Sequence, residues 1–152
     1  MSGRRGLARS RLGYPSTGVT VVQESELDIT VAADRTAACE ARRALAERRL
    51  VGAEREPALL LLVSELVTNS VRHAGLSEEE RIHLRARSDE TCAYVEVCDR
   101  GRSGRVPGKR RSSLGTLEPG GLGLVLVDEM ADRWGVARGE DETCVWFELA
   151  CA

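Results

Sequence analysis

A two-layer α+β sandwich is the fold class this sequence predicts, and three observations predict it. Short runs alternate apolar and polar residues at period two, the signature of strands with one buried face. An Ala-, Arg- and Leu-rich stretch and a second, Leu- and Val-rich one lack interior glycine and suit helices. The resulting order, β-α-α-β-β-loop-α-β-β, pairs neighbouring strands antiparallel and leaves helices to cover one face of the sheet. At 152 residues the chain has the length of one domain with a real core.

Residues 1–18 mix Gly, Arg and Ser without periodicity and read as a disordered basic leader, leaving 19–152 as a single domain. Leu27 to Val31 alternates as a first strand, and Asp34 suits a helix N-cap. A helix is predicted from Thr36 to about Leu50, ending near Gly52. Pro57 then fits the first turn of a second helix that runs to about Ala74 and stops at Gly75. Arg81–Arg87 and Cys92–Cys98 flank a polar turn at Ser88, Asp89 and Glu90, which makes a hairpin. Residues 100–121 hold six glycines and two prolines with no regular period, and so long a loop inside a compact domain is usually a lid or binding loop. A third helix fits Leu122 to about Asp132, followed by strands at Arg133–Arg138 and Cys144–Leu149. No internal repeat is present.

Charge is segregated behind a net value of −2. Residues 1–18 carry four arginines and no acid, and residues 100–117 carry six basic residues and no acid. The rest of the chain sets 12 basic residues against all 24 acids. An acidic body with two basic appendages is not the pattern of a duplex-DNA binder, whose basic residues line one folded face, so nucleic acid is not an expected partner. No apolar run approaches the ~18 residues of a membrane span, and no signal-like apolar region follows the N-terminal arginines; a soluble cytoplasmic protein is expected. The five cysteines are scattered, with no C-x-x-C pair and no histidine at zinc spacing. They read as buried free thiols in a reducing compartment, neither a disulfide framework nor a zinc site.

On a helical wheel, Leu59, Leu62, Val63, Leu66 and Val67 form the buried stripe of the second helix, with Glu65 and Asn69 on its margin and His73 inside it. These three residues at i, i+4 and i+8 are either boundary residues or a site in which a carboxylate takes a proton and an amide oxygen ligates a hard cation. Asp99 ends a strand with Gly101 two residues on, a pattern of turns and of close ligand approach alike. Gly121 and Gly123 open the third helix, where backbone N–H groups suit either a phosphate or a hinge. The stretch from Gly104 to Arg110 fails as a P-loop, because only three residues separate its glycines and Arg110 stands where a hydroxyl residue belongs.

Taken together, these elements resemble the GHKL (Bergerat-fold) ATPases, specifically the anti-sigma factor serine-protein kinases and related small ATP-binding regulators of actinobacteria. Residues 64–73, from Ser64 to His73, resemble that family's N-box. Asp99 to Gly101 resembles the start of its G1 box, Gly121 to Leu124 its G2 box, and Asp128 to Val136 with Thr143 to Leu149 its C-terminal end. Order and spacing agree from about Leu27 to Ala150.

The resemblance implies a histidine-kinase-like fold with a mixed, mostly antiparallel sheet, and roles for individual residues. Asn69 would coordinate the Mg²⁺ that bridges ATP phosphates, and Glu65 would act as general base on the serine of a protein substrate. Asp99 would accept a hydrogen bond from the adenine amino group, Gly101 would allow close approach, and Thr143 would support the adenine end. Gly121 and Gly123 would present N–H groups to phosphates, and the loop at about 100–120 becomes an ATP lid. Arg42 matches an arginine associated with partner binding. The implied partners are a sigma factor and an anti-sigma factor antagonist phosphorylated on serine, with a possible homodimer and no membrane. The alternative is a non-catalytic, nucleotide-binding switch of the same fold. One departure stands out: Ser103 occupies the second glycine position of the G1 box, which bears on lid movement more than on adenine recognition.

Overall fold

Side chains on successive strand residues point to opposite faces, so Leu27, Ile29 and Val31 share one side of β1 (Ser25–Ala32) while Glu26, Asp28 and Thr30 take the other. The same alternation runs through β2 (Arg81–Ser88) and most of β3 (Cys92–Asp99), whereas β4 (Arg133–Arg138) is half-buried along its interior and β5 (Thr143–Ala150) buries four residues in a row. In a computed structural model these form one five-stranded sheet in the order β1-β2-β3-β5-β4, every described pair antiparallel. The residues described are 25–73, 77, 79–101 and 122–152. The leader 1–18, Gly75, Gly121 and the loop 102–121 lie outside them.

Helices α1 (Ala37–Ala46), α2 (Glu56–His73) and α3 (Leu122–Met130) cover one face, with α1 against β1, α2 against β3 and α3 against β4. Phe147, Leu149, Val95, Val97, Ile82 and Leu84 from the sheet meet Leu59, Leu62, Val63, Leu66 and Val67 of α2 in a single core. The predicted α+β sandwich is thus the observed architecture.

Several boundaries differ from the sequence reading, each for a local reason. The first helix stops at Ala46 and does not continue to Leu50, because Arg49 turns into the left-handed region at φ 49° and sends Leu50 back into the core. Its N-cap is Thr36 and not Asp34. Asp34 sits two residues earlier, where its Oδ1 accepts from the Thr36 N–H at 2.7 Å and the Thr36 hydroxyl at 2.6 Å. The third helix ends at Met130, and β3 and β5 each extend to the residue beyond the predicted ends, bringing in Asp99 and Thr143.

The reading of all five cysteines as buried free thiols is overturned. Cys98 and Cys144 lie directly opposite each other in the β3–β5 pair, with Cα atoms 4.0 Å apart, and are joined by a disulfide. A separation of 46 residues hides this neighbour relation from any spacing rule. Of the three free cysteines, Cys39 is exposed and Cys92 and Cys151 are half-buried.

The uncovered face of the sheet is not bare. Trp146 stacks on Tyr94 at 5.8 Å between ring centroids, and the Arg87 guanidinium lies 4.9 Å from the Tyr94 ring centre. The Trp146 indole occupies the space above Gly135, where an added Cβ would come within 2.9 Å of it, so glycine is required there. Burial, reinforced by the neighbouring Glu96 charge, pushes the Tyr94 phenol up to about 12.

Candidate functional site

The site is built at one end of the β3–β5 pair and on the helix that crosses it. Asp99 and Thr143 are partners on the last rung of that pair, so their side chains emerge side by side on the helix-covered face. Asp99 is fixed from two directions. Its Oδ1 accepts the Gly101 N–H at 2.9 Å, closing a tight turn where β3 ends. Its Oδ2 accepts the Ser70 hydroxyl at 2.6 Å, from α2. Each oxygen keeps a further lone pair for a ligand donor, so the carboxylate is oriented without being used up.

Ser70 is the functional residue that sequence reasoning missed. It is the single buried polar residue named among the described core, 7% exposed. A signal was present: Ser70 follows Val67 by three residues and therefore falls within the apolar stripe of α2, where an unpartnered hydroxyl is costly. The partner across the layers is what makes it tolerable.

One residue before Ser70 stands Asn69, and one helical turn before that Glu65. Both are half-buried, as their place on the stripe's margin predicts. Among the described residues neither is engaged in a hydrogen bond or ion pair, and a hard oxygen donor and a carboxylate stand on the margin of the helix. His73 is the last residue of α2, and Gly123 lies in the first turn of α3, which packs on α2. The structure thus brings Asp99, Thr143, Gly101 and Ser70 together, with Asn69 and Glu65 on the same helix as Ser70, whereas Gly121 lies outside the described residues.

Other predicted or suggestive groups play different parts. Arg42 of α1 donates to the Ser64 hydroxyl at 2.9 Å, and Ser64 donates to the Leu60 carbonyl at 2.7 Å, tying α1 to the start of the Glu65–Asn69 row. Trp134 Nε1 donates to Asp128 at 2.9 Å, clamping α3 to β4. Glu96, Cys98 and Cys144 place ligand atoms within 4.8 Å of one another, but two bridged sulfurs offer no thiolate, so this is not a metal centre.

The histidine kinase-like ATPase domain family matches residues 29–149, a span that contains every residue of this neighbourhood. Among solved structures, the chain is similar to the crystal structure of the RsbU and RsbW domains of Rv1364c from Mycobacterium tuberculosis, at a TM-score of 0.61 and 19% identity. The similarity covers 82% of this chain and 32% of that one, so the chain spans about a third of the structure it resembles. At that identity the likeness is one of fold. No curated protein matches the sequence. No described helix is long and apolar enough to cross a membrane.

Proposed function

The chain belongs to the histidine kinase-like ATPase domain family, and from that premise we propose that it is a cytoplasmic, ATP-binding regulator of the anti-sigma factor type that phosphorylates a serine on an antagonist protein and binds a sigma factor. The observation that carries this reading is the doubly held Asp99, paired with Thr143 and bonded to Ser70, the residue next to Asn69 on α2.

The residues suit a purine nucleotide with a divalent cation. A carboxylate pinned by two donors remains an acceptor, which matches the exocyclic amine of adenine and opposes the 6-oxo group of guanine. Thr143 supplies a hydroxyl beside it on the same rung. Asn69 offers an uncharged oxygen of the kind that Mg²⁺ accepts alongside phosphates. Mg²⁺, when bound, supplies neutralisation of phosphate charge. Glu65, one turn away on the same helix, would take the proton from the serine hydroxyl of the protein substrate. The basic residues of the loop 102–121 and the glycines at 121 and 123 would complete the phosphate end in this reading. Arg42, exposed on α1, would face the partner protein.

The test incubates the purified protein with Mg-ATP and an antagonist protein from the same genome. Transfer of phosphate to a serine is expected, Glu65→Ala is expected to abolish transfer while sparing nucleotide affinity, and Asn69→Ala to lose the Mg²⁺-dependent part of binding. ATP binding without transfer by the wild type would leave a stoichiometric nucleotide-binding switch. Transfer by Glu65→Ala at the wild-type rate would remove Glu65 as the base.

A further inference from the structure

We infer that Cys98 and Cys144 form a reversible thiol–disulfide site whose oxidation state sets how tightly the chain holds a nucleotide at Asp99 and Thr143. The inference rests on the nucleotide reading above and adds a regulation to it.

Position is the first argument. Cys98 and Cys144 make the rung immediately next to Asp99 and Thr143 in the β3–β5 pair, and Asp99–Thr143 is the last rung of that pair. Terminal rungs open first, because only one neighbour restrains them. Thr143 is also paired to β4, opposite Arg138, where the turn closed by the Gly139 N–H on the Glu142 carbonyl joins the two strands. The bridge is therefore a covalent pin one rung inside the end of the β3–β5 pair, and that end carries both groups of the proposed purine site. With the pin in place the two side chains stay in register, and binding costs less ordering. Without it, Asp99 keeps its bonds to Ser70 and Gly101 and the rung its backbone pairing, but the covalent tie between the two strands is gone.

Chemistry around the sulfurs is the second argument. The pair lies on the uncovered face of the sheet, away from the pocket itself, with Cys98 1% and Cys144 6% exposed. Arg85 Nη2 is 4.0 Å from Cys98 Sγ. Arg85 Nε is buried with no hydrogen-bond partner and stands 3.8 Å from a Glu96 oxygen. The other Glu96 oxygen is 3.4 Å from Cys98 Sγ, which in the bridged state has no proton to donate. Each state thus has a matching neighbour: a Cys98 thiolate would face Arg85, and a Cys98 thiol would donate to Glu96.

The reaction balances as two thiol exchanges with an external dithiol. One dithiol sulfur, as thiolate, attacks Cys144 Sγ, the more accessible of the two. The S–S bond breaks, its electron pair leaves with Cys98 Sγ beside Arg85, and that sulfur takes up a proton. The second dithiol sulfur then attacks the mixed disulfide and releases Cys144 as a thiolate, which is protonated. The dithiol departs as its cyclic disulfide, so two electrons and two protons have moved to the protein. In a reducing compartment, bridges of this kind are transient and sensing.

The experiment measures the affinity of the full chain for a fluorescent ribose-labelled ATP analogue, after treatment with oxidised or with reduced dithiothreitol, with peptide mass mapping of the Cys98–Cys144 link in each sample. The bridged form is expected to bind about five- to tenfold more tightly, the gain of a preorganised pocket. Cys144→Ser is expected to bind like the reduced form and to ignore the redox treatment. A triple variant, Cys39→Ser with Cys92→Ser and Cys151→Ser, retains the pair and is expected to keep the full response, which holds the test open even if Cys144→Ser folds poorly. Equal affinity in two samples whose mapping differs would overturn the coupling while leaving the nucleotide reading intact. So would loss of the response in the triple variant, or failure of the two cysteines to link under oxidation. Binding by neither form would overturn the nucleotide reading and this inference with it.

Discussion

Two aspartates ten residues apart, Asp89 and Asp99, stand at opposite ends of β3 and begin with the same local chemistry. Asp89 Oδ1 accepts from the Thr91 N–H at 2.7 Å, the Thr91 hydroxyl at 2.7 Å and the Cys92 N–H at 2.9 Å. All three donors belong to its own turn and converge on one oxygen. Asp99 Oδ1 likewise accepts the N–H two residues on, but its second oxygen reaches Ser70 in the helix layer, 29 residues earlier in the chain. Asp34, whose Oδ1 accepts both the Thr36 N–H and the Thr36 hydroxyl, follows the Asp89 pattern. A carboxylate that serves only its own turn shapes backbone, whereas one gripped across layers is oriented by the packing of helix on sheet. That distinction separates a turn from a site where the local sequence does not.

The comparison breaks most visibly at Asp99. Asp99→Ala is expected to weaken ATP binding by about a hundredfold, roughly 2.7 kcal/mol, with a smaller loss of stability. Isothermal titration beside chemical denaturation checks the split. A loss of binding matched by global unfolding would return Asp99 to the class of Asp89.

Ser70→Ala comes next. It strips one grip from Asp99 and is expected to weaken ATP by about five- to tenfold and to cost ~1 kcal/mol of stability. The diagnostic readout is discrimination between ATP and ITP, which falls if Ser70 aims the carboxylate and stays constant if Ser70 merely fills space.

Asp89→Ala should do the reverse, leaving ATP affinity unchanged and costing about 1 kcal/mol through its lost turn bonds. The Thr91 hydroxyl, then the Cys92 and Thr91 amides, hold the Asp89 carboxyl below its ordinary value. A depressed folded value means that its stabilisation is present above the unfolded carboxyl range near ~3.9 and is lost as pH falls through the folded value. The gap in denaturation midpoint between wild type and Asp89→Ala should therefore be full at pH 7 and close in strong acid. The smallest effect is expected at Asp34→Ala, where an exposed carboxylate with two bonds to one residue precedes α1; its melting temperature should drop less than that of Asp89→Ala.

Much of this molecule was legible in its residues. Period-two alternation located β1, because a half-covered sheet forces one face apolar, and strand-like runs between turns and after α3 located the other four. The α2 stripe placed Glu65 and Asn69 at the margin where they are found, because helical periodicity is set by the backbone alone. Errors gathered where the cause lay elsewhere in the chain or in one backbone angle. Arg49 ends α1 through a left-handed turn that its residue type disfavours. Cys98 and Cys144 are neighbours only because β5 inserts between β3 and β4 in the sheet order. Ser70 is a polar residue in an apolar stripe, and only its bond to Asp99 across the layers accounts for it.

By itself the sequence determined the layers, the covered face of each strand and the helix row of carboxylate and amide, since all of these follow from local periodicity and the burial it demands. Only the tertiary structure decided that Asp99 shares a rung with Thr143, that Ser70 grips it from α2, and that a disulfide pins the adjoining rung. Those relations depend on which strands become neighbours and in what register, and both are settled when two apolar layers close on one core, not by any residue's own neighbours along the chain.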